Sequence, residues 1–166
     1  MKIKLSETQI CAARLIGEAR QLSAEKRSSK SAFPEQWAGQ FLDNHKNAAC
    51  AELAVSVALQ VKTELGVDVF SVPDIDGTRI DVRWARNRDL CKVTPRDIGK
   101  NRIIVGTTGT DAEIEILGWI EARDAPYRCK GSAKEPWCWF VDEFAWEPIE
   151  TLTGSLMRPR DGEKIV

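Results

Sequence analysis

From Ser6 to about Lys26, apolar residues recur near helical spacing: Ile10, Ala13, Leu15, Ile16 and Ala19. Ser6 and Gln9 have the spacing of a capping box at the start of this helix. The polar run Lys26-Arg27-Ser28-Ser29-Lys30-Ser31 ends it. Pro34 suits the first turn of a second helix, whose pattern runs from Glu35 to about Leu65 before Gly66 stops it. Within that helix, the stretch Ala48 to Leu59 carries only two polar side chains, Glu52 and Ser56, four apart on one face. A helix so apolar on all sides belongs inside the protein.

After Gly66 the period shortens to two. Residues 67–72 and 78–84 alternate around the turn sequence Pro73-Asp74-Ile75-Asp76-Gly77, and this predicts a β-hairpin. Ile80, Val82 and Trp84 share one face of its second strand, with Arg79, Asp81 and Arg83 on the other. Arg86 to Lys100 reads as a charged loop with room for a short helix. Arg102 to Gly106 reads as a buried strand and Glu113 to Ile120 as an alternating one. Ala125 to Pro136 is expected to be a loop, Trp137 to Phe144 a further strand, and Pro148 to Leu152 a closing turn. Helices first and strands afterwards predict an α+β fold, a central mixed β-sheet flanked by helices in one domain over residues 1–166. Its expected parts are a helical segment 1–65, a β-rich segment 66–152 and a short tail 153–166.

Composition narrows the function. The 24 basic and 25 acidic residues nearly cancel, which excludes a globally basic nucleic-acid binder. The charge is nonetheless segregated. Eight basic residues face three acidic ones between Arg79 and Arg102, whereas acids dominate from Asp111 to Glu150. Arg86, Arg88, Lys92 and Arg96 in that basic middle are the candidate contacts to nucleic-acid phosphates. A single histidine, His45, excludes any site needing two imidazoles. No apolar run is long enough for a membrane helix, the first residues lack a signal-peptide pattern, and the five cysteines include no CxxC pair; a cytoplasmic protein with mostly free thiols is expected. Cys11 and Cys50 are read as core residues, and Cys129 with Cys138 as a late pair open to bonding or metal binding. Of the six tryptophans, Trp119, Trp139 and Trp146 are read as core. Trp37 and Trp137 are the surface candidates for a protein partner.

Three carboxylate positions stand out. Glu52 lies in an apolar helix, where a carboxylate is costly unless it is paired or holds a cation. Asp81 lies inside a strand, where Asp is disfavoured. Asp74 and Asp76 flank the turn before it. Carboxylates converging from helix and hairpin would supply the hard oxygen ligands that Mg²⁺ prefers.

The order of these motifs resembles the PD-(D/E)XK nuclease superfamily, in particular its small phage-type members. The resemblance rests on Glu52 in Ala49-Cys50-Ala51-Glu52-Leu53-Ala54, the acids before Gly77, Arg79-Ile80-Asp81-Val82-Arg83, Ile116-Leu117-Gly118-Trp119-Ile120, and the strand and Pro-containing turn from Trp139 to Leu152. It implies a restriction-endonuclease-like fold and a divalent-metal-dependent nuclease that hydrolyses phosphodiester bonds of DNA. Glu52, Asp81 and one of Asp74 and Asp76 would hold Mg²⁺ or Mn²⁺. Glu52, Asp81 and Arg83 would form the catalytic set, with Arg83 where the family has Lys. Arg retains the charge but cannot transfer a proton. The alternative is a catalytically inactive protein of the same fold that binds DNA or a protein partner, in a phage accessory or counter-defence role. Either reading is compatible with a homo-oligomer.

Overall fold

The computed structural model describes residues 1–27, 38–67, 72–110, 113–131 and 138–152. Strand β1 spans Lys2–Lys4 and helix α1 Glu7–Arg27, the latter opened by the expected cap. Gln9 Oε1 accepts the Ser6 N–H at 2.9 Å, and Ser6 Oγ accepts the Gln9 N–H at 3.3 Å. Along α1 the inward stripe is Ile10, Ala13 and Gly17, and Arg20 follows on it. Leu15 and Cys11 point outward, against the expectation of a core Cys11.

Helix α2 (Ala38–Leu59) is the buried helix. Ala49, Cys50, Ala51, Ala54 and Val55 are fully buried because α1 covers one side and the sheet the other. Ser56 is also buried; its Oγ donates to the Leu53 carbonyl at 2.8 Å. The helix stops before Leu65. Gln60 takes a left-handed φ of 54°, and the Val61 N–H closes on the Ser56 carbonyl. Residues 60–67 then run on without regular structure, so Gly66 is not the stop.

The main sheet has the order β1-β5-β4-β2, built from β2 (Ile80–Trp84), β4 (Ile103–Thr110), β5 (Glu113–Glu121) and β1. It is mixed: β2 runs parallel to β4, whereas β4–β5 and β5–β1 are antiparallel. The fold is therefore α+β with a mixed sheet. The expected hairpin is corrected. The sheet partner of β2 is β4, with Asp81 opposite Ile104 and Arg83 opposite Gly106. Val67 and Val72 lie in bends, and the rest of the expected first strand, residues 68–71, lies outside the described residues.

Between β2 and β4 the chain crosses over through a 3₁₀ turn (Arg88–Leu90), β3 (Lys92–Val93) and α3 (Pro95–Gly99). A short helix α4 (Ala125–Arg128) and strand β6 (Lys130–Gly131) replace the expected loop, and the expected strand Trp137–Phe144 contracts to β7 (Trp139–Phe140). β3, β7 and β6 form a second, antiparallel sheet.

Two apolar clusters lie on opposite faces of the main sheet. Ile80, Val82, Ile103, Val105, Ile114 and Ile116 pack under the helices. Ile104 and Ile120 pack with Val93, Ala122, Val141 and Ala145 beneath the small sheet. Gly106 and Gly118 face each other across β4 and β5, beside a register shift. A side chain on Gly106 would overlap the Trp146 ring, so the glycine makes room for that indole. Trp119, Trp139 and Trp146 all pack against the cores as expected, while Trp37 and Trp137 lie outside the described residues.

Candidate functional site

A cleft of about 630 Å³ opens beside β2, one of the two outer strands of the main sheet among the described residues. α2 supplies His45, Ala48 and Glu52; the segment before β2 supplies Asp74; β2 supplies Asp81 and Arg83. α3 and its flanks supply Arg96, Asp97, Lys100 and Arg102.

Asp74 is placed by backbone pairing. Its N–H donates to the Ile80 carbonyl at 3.0 Å, and its carbonyl accepts the Thr63 hydroxyl at 2.9 Å. Its carboxylate Oδ2 accepts the Val82 N–H at 2.7 Å, directly after Asp81 in the chain. The two aspartates thus sit at one point of the strand. Burial raises both, and each suffers a further like charge: Asp74 from Glu52, Asp81 from Asp74. Each carboxyl is pushed up to about 6, against the pull of Arg83 on both. Asp81 Oδ1 is buried with no hydrogen bond and has Arg102 Nε at 3.5 Å.

Asp76 is not in the cleft. It is exposed, and its Oδ2 accepts the Glu64 N–H at 2.7 Å. Of the two turn acids, Asp74 is the one that joins Glu52 and Asp81.

Glu52 is 5% exposed, and both its oxygens are taken. Arg20 reaches across from α1 and forks onto them at 2.7 Å each, while its Nε donates to the Gly66 carbonyl. Burial raises the Glu52 carboxyl and Arg20 lowers it, with Asp81 adding a smaller upward push. The bland reading of Glu52, a buried acid paired with an arginine, accounts for this contact. The arginine is one that sequence reasoning missed. Its signal is its position: Arg20 continues the inward stripe of α1 three residues after Gly17.

Arg83 does not lean on Glu52. Its Nη2 donates to Asp97 Oδ1 at 2.6 Å and lies 3.4 Å from Asp81 Oδ2. Asp97 was also missed. It is the third residue of α3, and its other oxygen accepts the Thr94 N–H and hydroxyl at 2.8 and 2.9 Å. The run Thr94-Pro95-Arg96-Asp97 carries the sign of that cap: a Thr, a first-turn Pro and an acid three residues on.

The basic residues expected to form one stripe are dispersed. Arg96 borders the cleft, and Arg86 lines a different groove. Arg88 pairs with Glu115, and Lys92 sits in the small sheet. The cleft's own cations are Arg20, Arg83, Arg96, Lys100 and Arg102.

No group of three His, Cys, Asp or Glu side chains is arranged to hold a metal among the described residues. The donor set nevertheless suits a hard cation. Asp74 and Asp81 are paired carboxylates, and one of their oxygens lacks a hydrogen bond. Mg²⁺ uses one or two protein carboxylates and completes its shell with water and substrate phosphate. Glu52 does not fit that role while Arg20 occupies both its oxygens. All five cysteines are free, and burial pushes the Cys91 and Cys129 thiols up to about 11, which keeps those two protonated and unreactive. Among the described residues no helix is long and apolar enough to cross a membrane. No protein-family model, curated protein or solved structure matches the chain.

Proposed function

We propose that the chain is a divalent-metal-dependent nuclease acting on DNA, with its chemistry at Asp74, Asp81 and Arg83. The observation that carries this reading is the juxtaposition of the Asp74 carboxylate, bonded to the Val82 N–H, with Asp81 of β2, in a cleft whose far wall is basic. Two aspartates that repel one another favour a cation between them. Lys100, Arg96 and Arg102 favour an anion in front of them. A phosphodiester with its counter-cation satisfies both demands. Asp74 and Asp81 would hold the Mg²⁺ or Mn²⁺, which when bound polarises the phosphate and lowers the pKa of a bound water. Arg83, fixed by Asp97, presents a permanent positive charge to the phosphate oxygens as negative charge develops there. It does not serve as the proton acceptor, because a guanidinium keeps its proton. Arg20 and Glu52 form the rigid back wall of the site.

The test is incubation of the purified protein with plasmid and linear DNA, in Mg²⁺, in Mn²⁺ and in EDTA. Cleavage in the metals alone is expected, and Asp81→Asn should abolish nearly all of it while leaving DNA affinity in EDTA within a few-fold. Cleavage undiminished in Asp81→Asn would refute the assignment.

A second reading is supported by the arginines. Arg20 neutralises Glu52 and Arg83 is clasped by Asp97, so cations of the chain itself take up much of the acidic charge. That arrangement suits a protein that binds DNA or a protein partner without cutting. DNA binding with no cleavage in either metal would establish it.

A further inference from the structure

A second groove, of about 590 Å³, lies where β2 and β4 end side by side. Crevices at the carboxyl ends of parallel strands are the usual place for a ligand in open sheets with helices. Its walls are α1 (Arg14), α2 (Asp43, Lys46, Asn47), the end of β2 and the segment after it (Trp84, Arg86), and the last residues of β4 (Thr108 to Thr110). Arg14, Lys46 and Arg86 line it with the acid Asp43, and Glu18 of α1 lies 3.4 Å from the Lys46 ammonium, so a phosphate here would compete with that carboxylate for Lys46. Trp84 supplies an aromatic surface, and its ring is fixed because Nε1–H donates to the Gly109 carbonyl at 2.8 Å. The other side of that indole rests on the core under the helices.

The two depressions are neighbours. Val82 lines the first and Trp84 the second, successive residues on one face of β2. Asp81 and Trp84 are three residues apart, about 10 Å along a strand, and point to opposite faces of β2, so a nucleic-acid strand joining them passes around the edge of that outer strand. α2 contributes to both walls, His45 and Ala48 to the first, Lys46 and Asn47 to the second.

We infer that this groove is a nucleotide subsite for single-stranded nucleic acid, with a base stacked on Trp84 and its phosphate held by Lys46 and Arg86. Positive side chains beside a fixed aromatic ring are the means by which proteins hold single strands without reading sequence. A duplex keeps its bases stacked on one another and cannot offer one to the indole. The inference rests on the nuclease reading for its direction: a strand held here leads toward Asp81. It does not depend on cleavage, because the subsite contains none of the proposed catalytic side chains.

The experiment uses fluorescein-labelled dT12, in EDTA, at two salt concentrations. The wild-type protein should bind it more tightly than the dT12·dA12 duplex. Lys46→Gln with Arg86→Gln should weaken binding about tenfold and flatten the salt dependence by about 1.4 in log–log slope, since each lost single-strand contact removes about 0.7. Lys2→Gln with Lys130→Gln removes the same charge from exposed positions outside the groove and should leave affinity within twofold. Competition with dTMP separates the two sources of a nucleotide: an excess should fail to displace dT12. Equal losses in both double variants, an unchanged Lys46/Arg86 variant, preference for the duplex, displacement by dTMP at comparable concentration, or no binding of dT12 would each overturn the inference. Cleavage in Mg²⁺ by the Lys46/Arg86 variant, and its loss in Asp81→Asn, report on the nuclease reading separately.

Discussion

Asp74 shows how a buried carboxylate is held against its own preference. Its Oδ2 gains one backbone N–H, but burial and Glu52 together raise the group to about 6. The folded protein therefore binds this proton more tightly than the unfolded chain does. Below about pH 4 both states are protonated and nothing is lost. Between about pH 4 and 6 the native state keeps a proton that the unfolded chain has released, so stability falls as pH rises, and above about 6 the full penalty is present. Asp81 acts in the same sense. Asp74→Asn can still accept the Val82 N–H and carries no charge. At pH 8 it should melt roughly 3–6 °C above wild type, with the difference closing toward pH 4, as followed by circular dichroism. Saturating Mg²⁺ should stabilise the wild type and do much less for the variant. A variant less stable than wild type at pH 8 would contradict the electrostatic account.

Between elements, the Arg20–Glu52 fork ties α1 to α2, with both side chains nearly buried. Removing one partner strands the other. Arg20→Met leaves an unpaired carboxylate inside and should cost about 3–5 kcal/mol at neutral pH. Much of that loss should be recovered in acid, where Glu52 takes up a proton. Arg20→Met with Glu52→Met should lie within about 1–2 kcal/mol of wild type, and urea denaturation of all three variants measures the coupling. This link also marks the limit of what local pattern reveals. The cap at Ser6, the apolar α2, and the alternation of β2 and β5 are written in neighbouring residues, and they were legible; the cap at Thr94 is as local but was not read. The partner of β2 was not, because β4 is reached only after a crossover of some twenty residues, and turn chemistry next to a strand points to the nearer partner. β1 has three residues and too short a pattern to register. At the site, Glu52 and Asp81 were marked by being out of place in an apolar helix and in a strand, whereas Asp74 was only one of two turn acids until its backbone pairing separated it from Asp76. Their partners Arg20 and Asp97 were not marked, since an arginine on a helix stripe and an acid in a first turn each have ordinary local explanations.

For the whole molecule, three layers depend on the central sheet being thin at one point. The Gly106–Gly118 pair lets the Trp146 indole lie against the strands and closes the small-sheet core. Gly106→Ala would place a methyl group inside that ring's volume and should cost about 2–3 kcal/mol; Trp146→Leu in the same background should return part of it, both read from urea midpoints. An unchanged midpoint for Gly106→Ala would mean the indole seats elsewhere.

β1 has a different kind of consequence. Lys2, Ile3 and Lys4 pair with Glu115, Ile114 and Glu113, so β1 waits for the last strand of its sheet to be made. Contacts of such long sequence separation form slowly, because the intervening chain must be gathered first. Until β2, β4 and β5 have emerged, the face of α2 that packs on the sheet is only partly covered. Synthesis rate and chaperone supply should therefore govern the yield of this protein more than its final stability does.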